Sequence, residues 1–193
     1  MESKNSAFKE FISPILVLVL ICFAVTFLLA FTYGITAPII EKNTAAAASE
    51  ARSSLLEAAD GKFSDSGAEL VEYEPGKVYA VDCYTADNGS GMVVTVKSNS
   101  YGGLLTAMVG IDKDGKITGV TVTDHADTPG VGTKAQDPEH LKQYIGLTEL
   151  GSDKIKDHAD SVVEVTGASV SSGAIHKAVY CALEQFKAMG GVK

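Results

Sequence analysis

The chain is 193 residues long and carries 16 Lys and Arg against 24 Asp and Glu, a net charge of −8 at pH 7. Nucleic-acid binding draws most of its affinity from neutralising phosphates, so an acidic chain with no Lys/Arg-rich run is excluded from that class. With 46% apolar residues and 19 glycines it is folded rather than disordered, and long enough for one domain plus an appendage.

The first element is a membrane span. Thirty consecutive residues, Phe11 to Ile40, carry no charge, whereas a bilayer core needs about 20 apolar residues in helical form. Ser13-Pro14 reads as an N-cap followed by proline at the first helical position, where its missing N–H costs nothing. The apolar stretch exceeds the roughly 7–15 residues of a signal-peptide core. An uncleaved anchor over 11–33 is expected, with a short cytoplasmic tail over 1–10, and the small residues Ala45–Ala48 leave later cleavage as the alternative. Lys4 and Lys9 before the span and Lys42 and Arg52 after it give little charge asymmetry. A short tail before a domain of about 150 residues behaves as a signal anchor, which places the domain on the extracytoplasmic side of the cell membrane.

Residues 34–61 are expected to form a helical stalk, with Asn43-Thr44 able to cap a helix, Ala45–Ala48 favouring it and Gly61 ending it. Residues 62–77 read as a loop or a poorly ordered edge. The apolar period then changes to two. Lys77–Ala86 and Met92–Ser98 flank the hairpin dipeptide Asn88-Gly89, and Leu104–Asp112 and Lys116–Thr123 flank Lys113-Asp114-Gly115. Asp137-Pro138-Glu139 starts a short helix closed by Gly146, with Leu141, Tyr144 and Ile145 on one side. A last helix runs from about Gly173 to Ala188, presenting Ile175, Val179, Ala182, Leu183 and Phe186 on one face. Hairpins with segregated helices make an α+β domain over 62–193.

Cys83 and Cys181 are too far apart for a C-x-x-C motif; free buried thiols are the expected state, with pairing in an oxidising compartment as the alternative. His125, His140, His158 and His176 show no metal-ligand spacing, so no metal site is expected.

Two segments carry chemistry. Val165 to Ala174 places Thr166, Ser169, Ser171 and Ser172 among small residues directly before the last helix. This fits an N-cap with spare serines, and it also fits an anion site at a helix start. The second segment, Asp124 to Lys134, sets His125, Asp127, Thr128 and Lys134 around the turn Thr128-Pro129-Gly130 at a strand end, either a plain turn or a ligand loop. Ser100-Tyr101-Gly102-Gly103 is a loop or a close backbone approach to a flat ligand. No P-loop or dinucleotide-binding fingerprint is present.

In series, the span, Ser100-Tyr101-Gly102-Gly103, Met108–Asp112, Ile117–Val120, His125–Gly132 and Thr166–Ser172 resemble the FMN-binding subunits of bacterial ion-pumping redox complexes. Within that RnfG/NqrC family the chain is most similar to the RnfG proteins of the Rnf ferredoxin:NAD+ oxidoreductase, with NqrC of the Na+-translocating NADH:quinone reductase as their relative. The resemblance implies FMN held covalently, through its phosphate, on a hydroxyl in a motif of the form [S/T/D]-G-A-[S/T]-x-[S/T]. Thr166, Gly167, Ala168, Ser169 and Val170 fill its first five positions and Ser171 is the implied acceptor, where the family usually has Thr; Ser172 is the adjacent hydroxyl. The family's H-x-E-T-P-G-x-G appears as His125, Asp127, Thr128, Pro129, Gly130 and Gly132, with Asp for Glu. These residues, with Tyr101 and Gly102, are implied to lie near the flavin.

The implied function is that of an electron carrier without catalysis of its own, relaying electrons between ferredoxin and NAD+ in a complex that moves Na+ or H+. Implied partners are the other Rnf subunits and a flavin transferase that makes the tether. The NqrC component of the quinone reductase, a free-standing anchored flavoprotein of extracellular electron transfer, and a non-redox anchored binding module are the other readings.

Overall fold

The structure, a computed structural model, describes residues 12–158 and 162–191. The expected tail over 1–10 and Phe11 lie outside the described residues. Two compact units divide the chain between Ala47 and Ala48.

The first unit is one helix. Helix α1 (Ser13–Leu55) runs through the expected span and most of the expected stalk without a break and continues into the second unit. Asn43-Thr44 caps nothing, because the helix is already formed when it reaches them. Pro38 lies inside it and removes the N–H that would have reached the Gly34 carbonyl. Thr32 and Thr36 hydroxyls donate back to the Leu28 and Thr32 carbonyls, at 2.8 and 3.0 Å, so neither hydroxyl is left orphaned on this apolar surface. Leu18, Leu20, Phe23, Leu29 and Tyr33 are all more than 60% exposed. The helix is long and apolar enough to cross a membrane.

The second unit is an antiparallel sheet with helices packed on it, as the α+β reading expects. The strands are β1 (Phe63–Asp65), β2 (Glu72–Glu74), β3 (Val78–Ala86), β4 (Gly91–Asn99), β5 (Leu104–Asp112) and β6 (Ile117–Asp124), in spatial order β1-β3-β4-β5-β6. The two hairpins signalled by Asn88-Gly89 and Lys113-Asp114-Gly115 form there. Gly89 and Gly115 adopt φ of +70° and +81°, which only glycine enters freely. Of the two readings of residues 62–77, the edge is the one that forms, and it holds β1 and β2. They share one edge of β3, β1 opposite Tyr84–Ala86 and β2 opposite Val78–Tyr79.

Helix α2 (Pro138–Leu141) is one α-turn, capped by the Asp137 carboxylate and continued as a 3-10 turn over Lys142–Tyr144. Leu141 and Tyr144 are buried, but Ile145 is 49% exposed. The tighter 3-10 winding ends at Tyr144, and the extended backbone of Ile145 turns it away from its neighbours. Helix α3 (Ser169–Ala188) begins four residues earlier than the sequence suggests.

Met92, Val94 and Val96 of β4 and Leu105, Ala107, Val109 and Ile111 of β5 face α3, meeting Ile175, Val179, Ala182 and Leu183. Each such side chain, fully buried, contributes about 1.5–3 kcal/mol. The opposite face receives the end of α1. Leu55, Leu56 and Ala59 pack on Ala86, Val93 and Met108, the Thr118 hydroxyl donates to the Leu55 carbonyl, and Arg52 lies 4.1 Å over the Tyr84 ring. A Cβ at Gly110 would stand 2.7 Å from the Leu55 carbonyl oxygen, so that close approach requires glycine. Residues 48–61, assigned to the stalk on sequence, thus form part of the second unit.

Candidate functional site

Three connections meet at one corner of the second unit: the β4–β5 turn, the loop after β6 and the segment entering α3. The first is closed by a hydrogen bond from Ser100 N–H to the Gly103 carbonyl. At Gly102 an added Cβ would lie 2.1 Å from the Ala126 carbonyl oxygen, so only glycine lets the turn press against the loop after β6.

That contact serves Asp127, which is 4% exposed. Its Oδ1 accepts the Gly102 N–H at 2.9 Å, and the Ser100 hydroxyl lies 2.8 and 2.7 Å from Oδ1 and Oδ2. Gln136 Nε2 reaches Oδ2 at 3.4 Å. Burial pushes the carboxyl pKa up, but the Gly102 N–H, the Ser100 and Ser171 hydroxyls and the charge of His125 outweigh it and hold Asp127 below its ordinary 3.8. It is a fixed anion with hydroxyl neighbours.

The segment entering α3 turns at Gly167, whose φ is +83°, and Ala168 N–H closes the turn on the Val165 carbonyl. The serines expected before the helix are its first turn. Ala168 occupies the N-cap position and offers no side-chain acceptor. The first N–H groups of a helix have no intrahelical partner, so this uncapped end carries donors and a positive dipole end. Ser172 is 1% exposed and its hydroxyl accepts the Val165 N–H at 3.1 Å. Ser171, also 1% exposed, sits against Gly132 and Asp127: a Cβ on Gly132 would lie 2.9 Å from Ser171 Oγ and 2.8 Å from Asp127 Cβ.

A cleft of about 540 Å³ opens here, inside the roughly 300–1,000 Å³ range of small-molecule sites. Of the residues singled out on sequence, Tyr101, Asp127, Thr128, Gly132, Gly167, Ala168, Ser169 and Ser171 line it. Gly102 stands behind the wall as the donor to Asp127. Ser172 lies on the core side. His125, Pro129, Gly130 and Thr166 are exposed and outside the lining. Val131, and Val170, which the sequence placed in the motif without a role at the site, also line the cleft. With Tyr101 they form an apolar rim, 51%, 55% and 77% exposed. Ser100 and Gln136 were also missed as site residues. Ser100 sits in a quoted motif, but nothing in the sequence links it to a carboxylate 27 positions away.

The arrangement suits an amphipathic ligand carrying an anion. Among the described residues no Lys or Arg lines the cleft, so an anion here depends on α3's uncapped start. The apolar rim offers a flat ring something to lie against. The residues therefore fit FMN: a phosphate beside Ser171 and the α3 N-terminus, a ring system at Tyr101, Val131 and Val170.

Other buried chemistry lies away from the cleft. His176 Nε2 lies 3.1 Å from the Ser152 carbonyl, with Tyr144 Oη 3.5 Å from its Nδ1. Cys83 and Cys181 are free and buried; burial raises both thiols, Cys181 to about 11, which keeps them protonated.

Residues 100–184 match the FMN-binding domain family, a stretch that includes every residue lining the cleft. The chain is 26% identical to the RnfG component of the proton-translocating ferredoxin:NAD+ oxidoreductase complex of Clostridium ljungdahlii, over 91% of both chains. It is 29% identical to the RnfG component of the ion-translocating oxidoreductase complex of Methanosarcina acetivorans, over 95% of this chain and 98% of that one. The solved structure of NqrC from Shewanella oneidensis is 22% identical and covers 57% of this chain and 62% of its own, with a TM-score of 0.41. The likeness to RnfG read from short motifs therefore extends over most of the chain. The chain thus joins a stretch similar to the FMN-binding domain family to a helix long and apolar enough to cross a membrane.

Proposed function

We propose that this chain is the FMN-carrying subunit of an Rnf-type complex, anchored by residues 11–33 with its second unit on the extracytoplasmic side. In this reading it relays electrons between ferredoxin and NAD+ while the complex moves an ion, Na+ or H+, and FMN is joined by a phosphoester to Ser171. The observation that carries the reading is the gathering of Tyr101, Asp127–Gly132 and Gly167–Ser171 around one cleft at the uncapped start of α3.

Bound flavin supplies the electron transfer, and the protein supplies position and electrostatics. The α3 N-terminus holds the phosphate charge, Gly132 leaves room beside Ser171, and the rim keeps one edge of the ring system at the surface, where a neighbouring protein of the complex can approach it. A covalent tether suits an exported domain, since lost flavin would not be replaced from a cytoplasmic pool. The other Rnf subunits are the expected partners, and a flavin transferase makes the bond.

The test is the intact mass of the full chain co-expressed with a flavin transferase, with in-gel flavin fluorescence after denaturation. A gain of one FMN less one water, mapped to the peptide holding Ser171, supports the reading. An unmodified mass without fluorescence, under a transferase that modifies a control protein, overturns it.

A further inference from the structure

We propose that the buried Asp127 carboxylate selects Ser171, over Ser169 and Ser172, as the hydroxyl that takes the flavin phosphate, and orients its oxygen for the transfer. The proposal rests on the covalent reading above and adds how one hydroxyl is chosen among three in a single helical turn.

Accessibility does not make the choice. Ser169 is exposed and lines the cleft, whereas Ser171 is 1% exposed. Chemistry separates them. The Ser172 oxygen already accepts the Val165 N–H and lies outside the cleft lining. Ser171 Oγ and the Asp127 side chain both lie within about 3 Å of the Cβ position of Gly132, so the Ser171 oxygen stands beside the carboxylate, and both still border the cleft. A carboxylate beside a serine accepts its hydroxyl hydrogen, fixes the rotamer and leaves a lone pair directed away from itself, free to meet a phosphorus atom in the cleft that Ser171 lines.

The supporting contacts make Asp127 dependable in this role. The Gly102 N–H and the Ser100 hydroxyl hold it ionised at neutral pH, so it is always an acceptor. In the transfer, the Ser171 Oγ–P bond forms as the pyrophosphate P–O bond of a flavin dinucleotide breaks. The nucleoside monophosphate leaves with the bonding pair, and the hydroxyl proton passes to Asp127 and on to solvent; nothing is oxidised or reduced. Such transfers gain most from alignment and little from early proton removal, which suits an acid as strong as Asp127.

The experiment compares the full chain with Asp127→Asn, Asp127→Glu and Gly132→Ala, each co-expressed with a flavin transferase. It reads covalent flavin by fluorescence, the modified residue by peptide mapping, and the melting temperature. Asp127→Asn is expected to lose flavin at Ser171 by about tenfold or more, with the remainder shifted toward Ser169 or Ser172. Asp127→Glu keeps the carboxylate and restores Ser171 as the preferred site. A merely structural role would lower the melting temperature and total flavin without moving that preference. Should Asp127→Asn not fold, Gly132→Ala decides, since its methyl group would wedge between Asp127 and Ser171. Full modification at Ser171 in a folded Asp127→Asn or Gly132→Ala protein overturns the proposal and leaves the covalent reading standing. A wild-type chain without flavin overturns both.

Discussion

Helix α3 carries buried polar side chains at both ends. At the C-terminal end Gln185 is fully buried, its Oε1 accepting the Val71 N–H at 2.6 Å and its Nε2 donating to the Glu69 carbonyl at 3.0 Å. At the N-terminal end Ser171 meets Asp127, which Ser100 and Gly102 also feed. The first network is neutral and closed, because both ends of the amide are bonded to backbone and the side chain is fully buried. The second is charged and borders open space. A closed neutral network stores stability; one charged and open on a single side holds a reactive group in place.

The largest expected effect breaks the comparison at the open end. Ser171→Ala abolishes covalent flavin, a drop of at least about 100-fold in fluorescence of the denatured protein, because no other hydroxyl in that helical turn stands beside the carboxylate. It costs about 1 kcal/mol of stability, the order of one hydrogen bond. Retained flavin at full yield would remove Ser171 from its role.

The closed end gives the reverse signature. Gln185→Leu leaves the half-buried Val71 N–H and the Glu69 carbonyl without partners, which costs about 2 kcal/mol, the low end of roughly 1–3 per orphaned group, because Glu69 is exposed and water can reach part of the site. Urea denaturation reads the loss, and flavin occupancy of the folded fraction stays at the wild-type level. Lower occupancy would mean that the two ends are coupled through the helix.

Acid sharpens the contrast. Asp127 titrates below 3.8 in the folded protein, so the unfolded chain binds more protons as pH falls, and stability present above that value is lost on descending through the folded pKa. Asp127→Asn is expected to flatten this part of the acid limb of a stability–pH curve. His140 acts with the same sign in a separate window. Burial lowers its pKa from 6.5, so its contribution is present above 6.5 and fades as pH falls through the lowered value. Gln185 titrates nowhere, and its variant should show an unchanged slope.

The two ends were not equally legible in sequence. The hairpins from β3 to β6 could be read because alternation and turn dipeptides are local signals. So could the family resemblance that pointed to Ser171 and Asp127. β1 and β2 were legible only as a loop or a poorly ordered edge, because Ser64, Asp65, Glu72 and Glu74 show no apolar period, and what makes them strands is the edge of β3. The start of α3 was misplaced because serines read as caps, whereas Ala168 takes the cap position and the serines wind into the first turn. Ser100, Gln136 and Gln185 were invisible for one reason. A lone polar residue acquires its role from a partner brought by the fold, at 27, 9 and 114 positions' remove.

Ser172 tests whether the line between the two kinds of network runs inside a single helical turn. It is as buried as Ser171 and next to it in sequence, yet its oxygen is bonded to the Val165 N–H like the closed end of α3. Ser172→Ala should therefore behave as a small version of Gln185→Leu. One backbone donor loses its acceptor, at about 1 kcal/mol because Val165 is only half-buried and water can reach part of it. Covalent flavin stays on Ser171 at the wild-type yield. Peptide mapping and a melting curve on one sample separate the outcomes: a lower melting temperature with the flavin unmoved keeps Ser172 on the structural side, and loss of flavin at an unchanged melting temperature moves the acceptor by one residue.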